Sequence, residues 1–239
     1  MSECPTFDVL PLTDRCRLIC KQGDHALIGV SPGNSYFTPQ RIAELVSWAD
    51  RTFEAVDIVY ADLYVDAMFE ALGYSPEHAR KRSTKDLKAV RRRIQRGVES
   101  AGPLTGFVRV HALSEFADNG VYRELQHSVG RAMESDTEFL AACTAMVRQF
   151  VGYRLAEDEE PTPAQLHAGM SYIAAELPFF VDTPGILGMP SSVSCYHARV
   201  PLTGPLFERE TGLRAVDNQA YAVVTPKARP QHLREDIAA

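Results

Sequence analysis

The segment Gly29–Ser35 reads Gly-Val-Ser-Pro-Gly-Asn-Ser and contains the G-x-S-x-G pattern of serine hydrolases, with Ser31 at the nucleophile position. In those enzymes the backbone N–H of the residue after the nucleophile helps to form the oxyanion hole. Here that residue is Pro32, which has no N–H, so hydrolase chemistry is disfavoured. Ser31 remains a candidate nucleophile of another kind, or a structural residue of a turn.

Two further pairs of side chains could bind charge or move protons. Tyr172 and Glu176 are four residues apart, so a helix would place the phenol and the carboxylate on one face. Such a pair could hold an ammonium group and pass protons, and an ordinary surface helix pair is the alternative. Tyr196 and His197 follow each other near the end of an expected strand, so we expect their side chains to point to opposite faces, and they need not act together.

A basic segment forms the third feature with chemical meaning. The chain carries a net charge of −6, yet residues 80–99 hold nine basic side chains against two acidic ones. A 3.6-residue period predicts one helix over residues 77–100 with an apolar face. Roughly opposite that face lies a basic one, formed by Lys81, Lys85, Lys88, Arg92 and Arg96. We expect no i,i+4 ion pairs along that face, so its charge calls for a partner such as a phosphate backbone. A solvated face is the alternative.

The elements that must position these residues follow from the hydrophobic pattern. The apolar run His25–Val30 predicts a buried strand that ends directly before Ser31, within a strand-rich segment Cys16–Val30. Thr38–Pro39 predicts the start of a helix, and residues 55–63 predict a second buried strand. Strand, helix and strand in this order predict a βαβ unit in a parallel sheet, with a ligand site at the carboxyl ends of the strands.

The rest of the chain completes an α/β prediction. We expect a third strand over 104–113, helices over 134–153 and 162–180, and late strands in the stretches "SSVSCYHARV" and "AYAVVTP". One domain over residues 1–239 accounts for these elements, with flexible ends at 1–14 and 227–239.

Composition excludes several classes of protein. The 239 residues are 45% hydrophobic and 23% charged, which is typical of a globular domain. No apolar run is long enough for a membrane helix, and the first residues do not resemble a signal peptide, so we expect a cytoplasmic protein. Five cysteines without a C-x-x-C pair, and seven scattered histidines, predict reduced thiols and no metal site.

Several ordered stretches together resemble the cyclodipeptide synthase family, and within it the actinobacterial subfamily named for an Asn, a Tyr and a His. The matching stretches span nearly the whole chain and read "HALIGVSPGNSYF", "LKAVRRRIQRGVES", "AGMSYIAAELPFF", "MPSSVSCYH", "RETGLRA" and "QAYAVV". The resemblance implies a Rossmann-like fold, similar to the catalytic domain of class I aminoacyl-tRNA synthetases of the Tyr and Trp type. It also implies synthesis of a cyclic dipeptide, a 2,5-diketopiperazine, from two aminoacyl-tRNAs without ATP, cofactor or metal.

The same resemblance assigns roles to the polar residues. The matching catalytic positions are Ser31, Asn34, Tyr172, Glu176, Tyr196 and His197. Ser31 would accept the first aminoacyl group in a ping-pong scheme, and the second aminoacyl-tRNA would then give a dipeptidyl enzyme that cyclises. Glu176 would hold the α-ammonium of the first group, and we expect its carboxylate to stay ionised beside that charge. Tyr196 matches the residue implicated in cyclisation.

The resemblance further implies a pocket for the side chain of the first amino acid. Its lining would be Leu27, Gly29, Val59, Leu113, Met146, Phe179 and Ser194. This lining is mostly apolar, so we expect a hydrophobic first residue such as Phe, Leu or Met. Glycine at position 29 agrees with a place where substrate comes close to the backbone.

The basic helix would then receive the acceptor arm of aminoacyl-tRNA. Its candidate phosphate contacts are Lys81, Lys85, Lys88, Arg91, Arg92, Arg93 and Arg96. We expect neither DNA nor membrane as a partner, and a monomeric protein. Two other functions stay open on the sequence: a non-catalytic module that binds tRNA or another RNA, and a serine hydrolase.

Overall fold

The computed structural model describes residues 7–152, 155 and 159–227. In chain order its elements are β1 (Phe7–Pro11), α1 (Asp14–Gln22), β2 (His25–Val30), α2 (Pro39–Thr52), β3 (Ala55–Tyr60), α3 (Val65–Ala71), α4 (Pro76–Ser100), β4 (Phe107–Ala112), α5 (Gly120–Ser135), α6 (Thr137–Gly152), α7 (Pro163–Leu187), β5 (Ser192–Tyr196) and β6 (Gln219–Pro226). A 3₁₀ turn follows β4 at Leu113–Phe116, and a π-turn lies at Gly204–Glu208.

The six strands form one sheet in the order β1-β6-β5-β2-β3-β4. All neighbouring pairs are parallel except β1 with β6, which is antiparallel. β2 lies in the middle and is almost wholly buried, as expected for a continuous apolar strand inside a parallel sheet. The prediction of an α/β fold around a parallel sheet is confirmed.

The predicted βαβ unit is β2, α2 and β3, and it places the site. Thr38 caps α2 by accepting a hydrogen bond from the Arg41 backbone N–H at 3.1 Å, and Pro39 occupies the first helical position. β2 and β3 pair in parallel from His25 opposite Ala55 to Val30 opposite Tyr60. Their carboxyl ends therefore meet at one edge of the sheet, where Ser31 follows β2.

The N-terminal part of the chain differs from the prediction in two ways. Residues 16–22 were expected to be strand-rich, but they belong to α1, which is capped by Thr13 and closed by Gly23 in the left-handed conformation at φ 76°. The predicted flexible end 1–14 also contains a strand, because Phe7–Pro11 pairs antiparallel with β6 and buries the Phe7 ring. Residues 1–6 lie outside the described residues.

The basic segment folds into one helix, α4, as predicted. Val90 and Ile94 are buried on its apolar side, where α4 packs on α2. The contact is close, because a Cβ added at Gly97 would lie 2.5 Å from the Ile42 side chain. Glycine therefore lets α4 lie against α2 with its basic face outward.

The later helices are longer, or divided differently, than predicted. The segment predicted as helix over 134–153 begins in the last turn of α5 and continues as α6, while residue 153 lies outside the described residues. α7 continues beyond residue 180 to Leu187, with a kink at Asp182 between Pro178 and Pro184. None of the helices in the described ranges combines the length and apolar character needed to cross a membrane.

Candidate active site

Ser31 lies at the carboxyl end of β2, directly after Val30, as predicted. The Asn34 backbone N–H donates to the Ser31 carbonyl oxygen at 3.3 Å, and Gly33 has a φ of 79°. Proline and glycine at the two central positions are typical of a type II turn. The segment is therefore a turn, and this turn presents a half-buried Ser31 to two cavities.

The Asn34 side chain joins the turn to the end of β5. Its Oδ1 accepts from the Tyr36 backbone N–H at 2.9 Å, which directs its Nδ2 to the Tyr196 hydroxyl at 3.3 Å and to His197 Nε2 at 3.5 Å. The prediction that Tyr196 and His197 point to opposite faces is wrong. Both side chains reach Asn34 Nδ2, because β5 ends at Tyr196 and strand alternation does not reach His197. Burial lowers the pKa of His197, so its ring is neutral at pH 7 and can accept the Asn34 hydrogen bond.

Tyr172 and Glu176 lie on α7 and face the same two-cavity region rather than solvent. The Tyr172 ring stacks on Phe150 with centroids 5.3 Å apart. Its hydroxyl is buried without a hydrogen bond of good geometry to any described residue. Burial raises the pKa of Tyr172 well above its usual value, and the Glu176 carboxylate raises this pKa further. The neighbouring Ser31 side chain acts to lower the pKa of Tyr172. The alternative of a surface helix pair is therefore wrong.

Burial raises the pKa of the Glu176 carboxyl from an ordinary 4.5 to about 7, although the nearby Tyr172 hydroxyl acts to lower it. The expectation of an ionised carboxylate concerned Glu176 beside the α-ammonium of a substrate, and it stays a prediction. Near neutral pH, Glu176 is therefore able both to give and to take a proton.

The first cavity is small and apolar. All seven residues predicted to line the first pocket border it, namely Leu27, Gly29, Val59, Leu113, Met146, Phe179 and Ser194. The sequence did not identify other lining residues, including Ala61, Phe180, Val200 and Tyr221, because they come from four separate segments. A Cβ added at Gly29 would contact no atom within 4 Å, so glycine here leaves its space to the cavity. The volume is about 70 Å³.

The second cavity is a wider cleft of about 760 Å³ over the turn after β2. Its walls include Asn34, Tyr36, Gln149, Tyr172 and His197. The two cavities share five lining residues: Ser31, Met146, Glu176, Tyr196 and Val200. A serine and a carboxylate therefore lie where the two cavities meet.

The exposed face of α4 carries most of the predicted phosphate contacts. Lys81, Lys85, Lys88 and Arg92 border one shallow groove, and Arg96 is exposed one turn further along. The expectation that this face lacks i,i+4 ion pairs is wrong at Lys81, which pairs with Glu77 at 2.6 Å. Glu77 belongs to the first turn of α4 and precedes the basic segment. The remaining four basic side chains keep a continuous positive surface.

Arg91 and Arg93 lie on the two flanks of α4 and contact the active-site loops. Arg91 donates to the Tyr60 hydroxyl at 2.6 Å, at the carboxyl end of β3. Arg93 donates to the Asn34 and Phe37 carbonyl oxygens at 3.3 and 3.5 Å. Arg93 thus connects the basic helix to the segment that carries Ser31, and Arg91 connects it to the end of the neighbouring strand β3.

A second serine, which the sequence analysis did not single out, lies at the amino end of the same strands. The Ser192 hydroxyl is 2.7 Å from His25 Nδ1, and His25 Nε2 donates to Asp57 at 3.0 Å. Arg109 donates to both Asp57 oxygens at 2.9 and 2.6 Å, and His111 lies 3.0 Å from the same carboxylate. This Ser-His-Asp chain is fully buried and borders neither cavity.

Known proteins with similar sequences share one description. A family model named cyclodipeptide synthase matches residues 7–226. The cyclo(L-leucyl-L-phenylalanyl) synthase of Streptomyces noursei is 44% identical over 216 residues, covering 90% of this chain and 90% of that protein. The cyclo(L-tyrosyl-L-tyrosyl) synthase of Mycobacterium tuberculosis is 42% identical over 224 residues, covering 94% of this chain and 78% of that protein.

Solved structures agree with these sequence relatives. The crystal structure of a cyclo(L-leucyl-L-phenylalanyl) synthase superposes with a TM-score of 0.86 at 42% identity, covering 92% of this chain and 99% of the other. A Mycobacterium tuberculosis structure, which relates cyclodipeptide synthetases to type I tRNA synthetases, gives 0.83 at 41% identity, covering 95% and 99%. Tyrosyl-tRNA synthetase from Pyrococcus horikoshii has the same fold at 14% identity, with a TM-score of 0.52 and coverage of 98% and 62%. The predicted similarity to class I synthetases is confirmed.

Proposed function

The chain belongs to the cyclodipeptide synthase family, and from this premise we propose that it makes a cyclic dipeptide through an aminoacyl ester on Ser31. Members of the family are aminoacyl-tRNA-dependent enzymes, and this chain is an aminoacyltransferase of that kind. The proposal adds the mechanism, the residues and the character of the product. One observation carries it: Ser31 and Glu176 lie on the wall shared by a small apolar pocket and a larger cleft.

In the first step the Ser31 oxygen attacks the ester carbonyl of the first aminoacyl-tRNA. The bond to the tRNA 3′-oxygen breaks, and the departing oxygen takes the serine proton. This assignment fits the surroundings of Ser31, since no described histidine is hydrogen-bonded to its hydroxyl. The amino-acid side chain enters the small pocket, and Glu176 binds the α-ammonium.

In the second step the Ser31-bound amine attacks the ester carbonyl of a second aminoacyl-tRNA held in the wider cleft. The bond to the 3′-oxygen of that tRNA breaks, and the oxygen leaves with a proton. Only this direction leaves a dipeptide on Ser31, because attack by the second amine on the Ser31 ester would leave the dipeptide on tRNA. The amine must first lose a proton, and Glu176, with a pKa raised by burial to about 7, is suited to accept it.

In the last step the free amine of the dipeptide attacks the Ser31 ester, closing the six-membered ring and releasing Ser31. Tyr196 borders both cavities and accepts a hydrogen bond from Asn34, which leaves its own proton directed away from Asn34. We assign Tyr196 to proton transfer during this ring closure. Asn34 and His197 are assigned to holding the Tyr196 hydroxyl in place.

The acceptor arm of each tRNA is assigned to the exposed face of α4. The groove bordered by Lys81, Lys85, Lys88 and Arg92 fits a phosphate backbone, since such contacts orient a nucleic acid without reading its sequence. Selection between substrates then falls mainly on the two cavities. The apolar lining of the small pocket supports a product with at least one largely hydrophobic residue.

Incubation of the purified protein with charged tRNAs, followed by mass spectrometry for diketopiperazines, tests the proposal. A cyclic dipeptide that disappears in Ser31→Ala supports it. RNA binding with no product from any charged tRNA would instead favour a non-catalytic binding module. Covalent labelling of Ser31 by a fluorophosphonate ester, with no diketopiperazine formed, would favour a hydrolase.

A further inference from the structure

Ser194 is the polar group at the deep end of the small pocket. It lies on β5 opposite Leu27 of β2, and Gly29 is two positions closer to Ser31 on the same face of β2. Two residues along a strand span about 7 Å, so Ser194 lies about that much deeper than Gly29. Only a long side chain attached to Ser31 extends past Gly29 to the Ser194 hydroxyl.

A buried amide fixes what the Ser194 hydroxyl can do. The Gln219 Oε1 accepts from the Thr183 backbone N–H at 3.0 Å, and its Nε2 donates to the Ala220 carbonyl oxygen at 3.0 Å. A backbone N–H can only donate and a carbonyl oxygen can only accept, so the orientation of the amide is determined. The second Nε2 hydrogen of Gln219 then donates to the Ser194 oxygen at 3.0 Å.

The kink in α7 provides the backbone N–H that holds the Gln219 amide. Asp182 has non-helical backbone angles, and the Thr183 N–H, directly after it, is bonded to Gln219. Gln219 is completely buried and uses both its oxygen and its nitrogen in these contacts. The amide therefore cannot rotate to offer the Ser194 hydroxyl an acceptor.

The Ser194 proton consequently has no acceptor among the described residues, while its oxygen lines the pocket. A buried donor without a partner costs free energy, and a substrate side chain that brings an acceptor to this point recovers it. The pocket walls also include the rings of Phe179, Phe180 and Tyr221, which favour an aromatic side chain.

We propose that Ser194, held by Gln219, selects tyrosine as the first aminoacyl group by donating a hydrogen bond to the phenol oxygen. The proposal rests on the proposed function and specifies the substrate class of its first pocket. It departs from the sequence-based expectation of Phe, Leu or Met as the first residue. Phenylalanine and leucine would fill the apolar part of the pocket and leave the Ser194 proton unpaired.

The test is a competition on one tRNA body acylated in turn with tyrosine and with phenylalanine, so that the two substrates differ by one hydroxyl group. The rate at which Ser31 becomes acylated is measured by intact-protein mass spectrometry. We expect tyrosine to be favoured about tenfold, as one well-placed hydrogen bond provides. In Ser194→Ala the tyrosine-to-phenylalanine ratio should fall to near one, and Ser194→Thr, which keeps the hydroxyl, should retain a preference.

Val59→Ala is the matched control, because it removes apolar lining that both substrates contact, and it should leave the ratio within about twofold of wild type. Gln219→Leu removes the amide that orients Ser194 and should reduce the ratio if the protein folds. A wild-type preference for phenylalanine, leucine or tryptophan, or an unchanged ratio in Ser194→Ala, would overturn the inference while leaving the proposed function intact. Failure of every aminoacyl-tRNA to acylate Ser31 would overturn the proposed function itself.

Discussion

The two ends of the central strands carry similar polar side chains in opposite situations. At the amino end, Ser192, His25 and Asp57 form a closed hydrogen-bond chain with no access to solvent. At the carboxyl end, Ser31 borders two cavities, and no described histidine is bonded to its hydroxyl. The arrangement that looks like a hydrolase triad is therefore the inaccessible one, and the serine without a triad is the one that a substrate can reach.

The same contrast holds for the two buried carboxylates. Burial acts to raise the pKa of Asp57, but hydrogen bonds from His25 and Arg109 outweigh it and bring the pKa down to about 2. Burial without such partners raises the pKa of Glu176 to about 7. Polar groups at the amino end are thus satisfied within the protein, while those at the carboxyl end are left to be satisfied by substrate. The amino end stabilises the sheet, and the carboxyl end is available for chemistry.

The largest expected effect separates the two serines. Ser31→Ala should lower diketopiperazine formation by on the order of 10³-fold or more, because it removes the nucleophile. Its free energy of unfolding should stay close to that of the wild type. Ser192→Ala is the matched control and should lose about 1 kcal/mol of stability while the folded protein keeps its activity. Product yield measures the activity of each variant, and urea unfolding measures its stability. An inactive but stable Ser192→Ala protein would contradict a purely structural role for Ser192.

Substitution of the two buried carboxylates, Asp57 and Glu176, should likewise affect stability in one case and activity in the other. Asp57→Asn should destabilise the protein by about 3 kcal/mol or more, because His25 and Arg109 lose the charge that they surround. Glu176→Gln should reduce product formation by about 10²-fold and leave the fold intact or slightly more stable at neutral pH. Urea unfolding and product assays on the same preparations check this. A strongly destabilised Glu176→Gln protein would place Glu176 with the structural groups.

The contributions of Asp57 and Glu176 to stability should depend on pH with opposite sign. Asp57 stabilises the fold when ionised, so its contribution is present above pH 3.8 and is lost as the pH falls towards about 2. Glu176 keeps its proton in the folded state up to about pH 7, so its contribution to stability falls as the pH rises from 4.5 to 7. Unfolding curves from about pH 2 to about pH 8 for wild type, Asp57→Asn and Glu176→Gln measure both. The advantage of Glu176→Gln over wild type should therefore grow with pH, and an advantage that shrinks would contradict the assignment.

The smallest expected effect concerns two buried tyrosines, Tyr172 on α7 and Tyr122 on α5. Tyr172→Phe removes a hydroxyl with no well-formed hydrogen bond, so stability should change by less than about 1 kcal/mol while activity falls. Tyr122→Phe removes a hydroxyl that donates to the Ala175 carbonyl oxygen at 2.8 Å, so stability should fall by about 1 kcal/mol. Thermal unfolding and product formation distinguish the pair. Equal losses of stability would show that the Tyr172 hydroxyl has a structural partner.

Local patterns in the sequence predicted the elements that carry the site. The apolar run before Ser31 and the 3.6-residue period of α4 each depend on neighbouring residues, so both could be recognised without a structure. α1 was missed because it is a short and polar helix that buries only Cys16 and Ile19, although Thr13 and Gly23 are ordinary capping residues at its ends.

Contacts between distant segments could not be predicted from such patterns. Ser192 and Asp57 reach His25 from 167 and 32 residues away. The approach of Tyr196 and His197 to Asn34 depends on where β5 ends, and the raised pKa of Glu176 depends on how α7 packs. The family resemblance supplied the candidate catalytic positions and the candidate pocket lining, but not the hydrogen bonds that these residues make.

The central claim is that Ser31, and not the triad-like Ser192, becomes acylated by aminoacyl-tRNA. Its most direct test is to mix the protein with a single charged tRNA, quench in acid, digest, and locate the aminoacyl mass by tandem mass spectrometry. The account predicts the added mass on the peptide that contains Ser31, and its loss in Ser31→Ala but not in Ser192→Ala. Aminoacylation at Ser192, or continued diketopiperazine synthesis by Ser31→Ala, would contradict it.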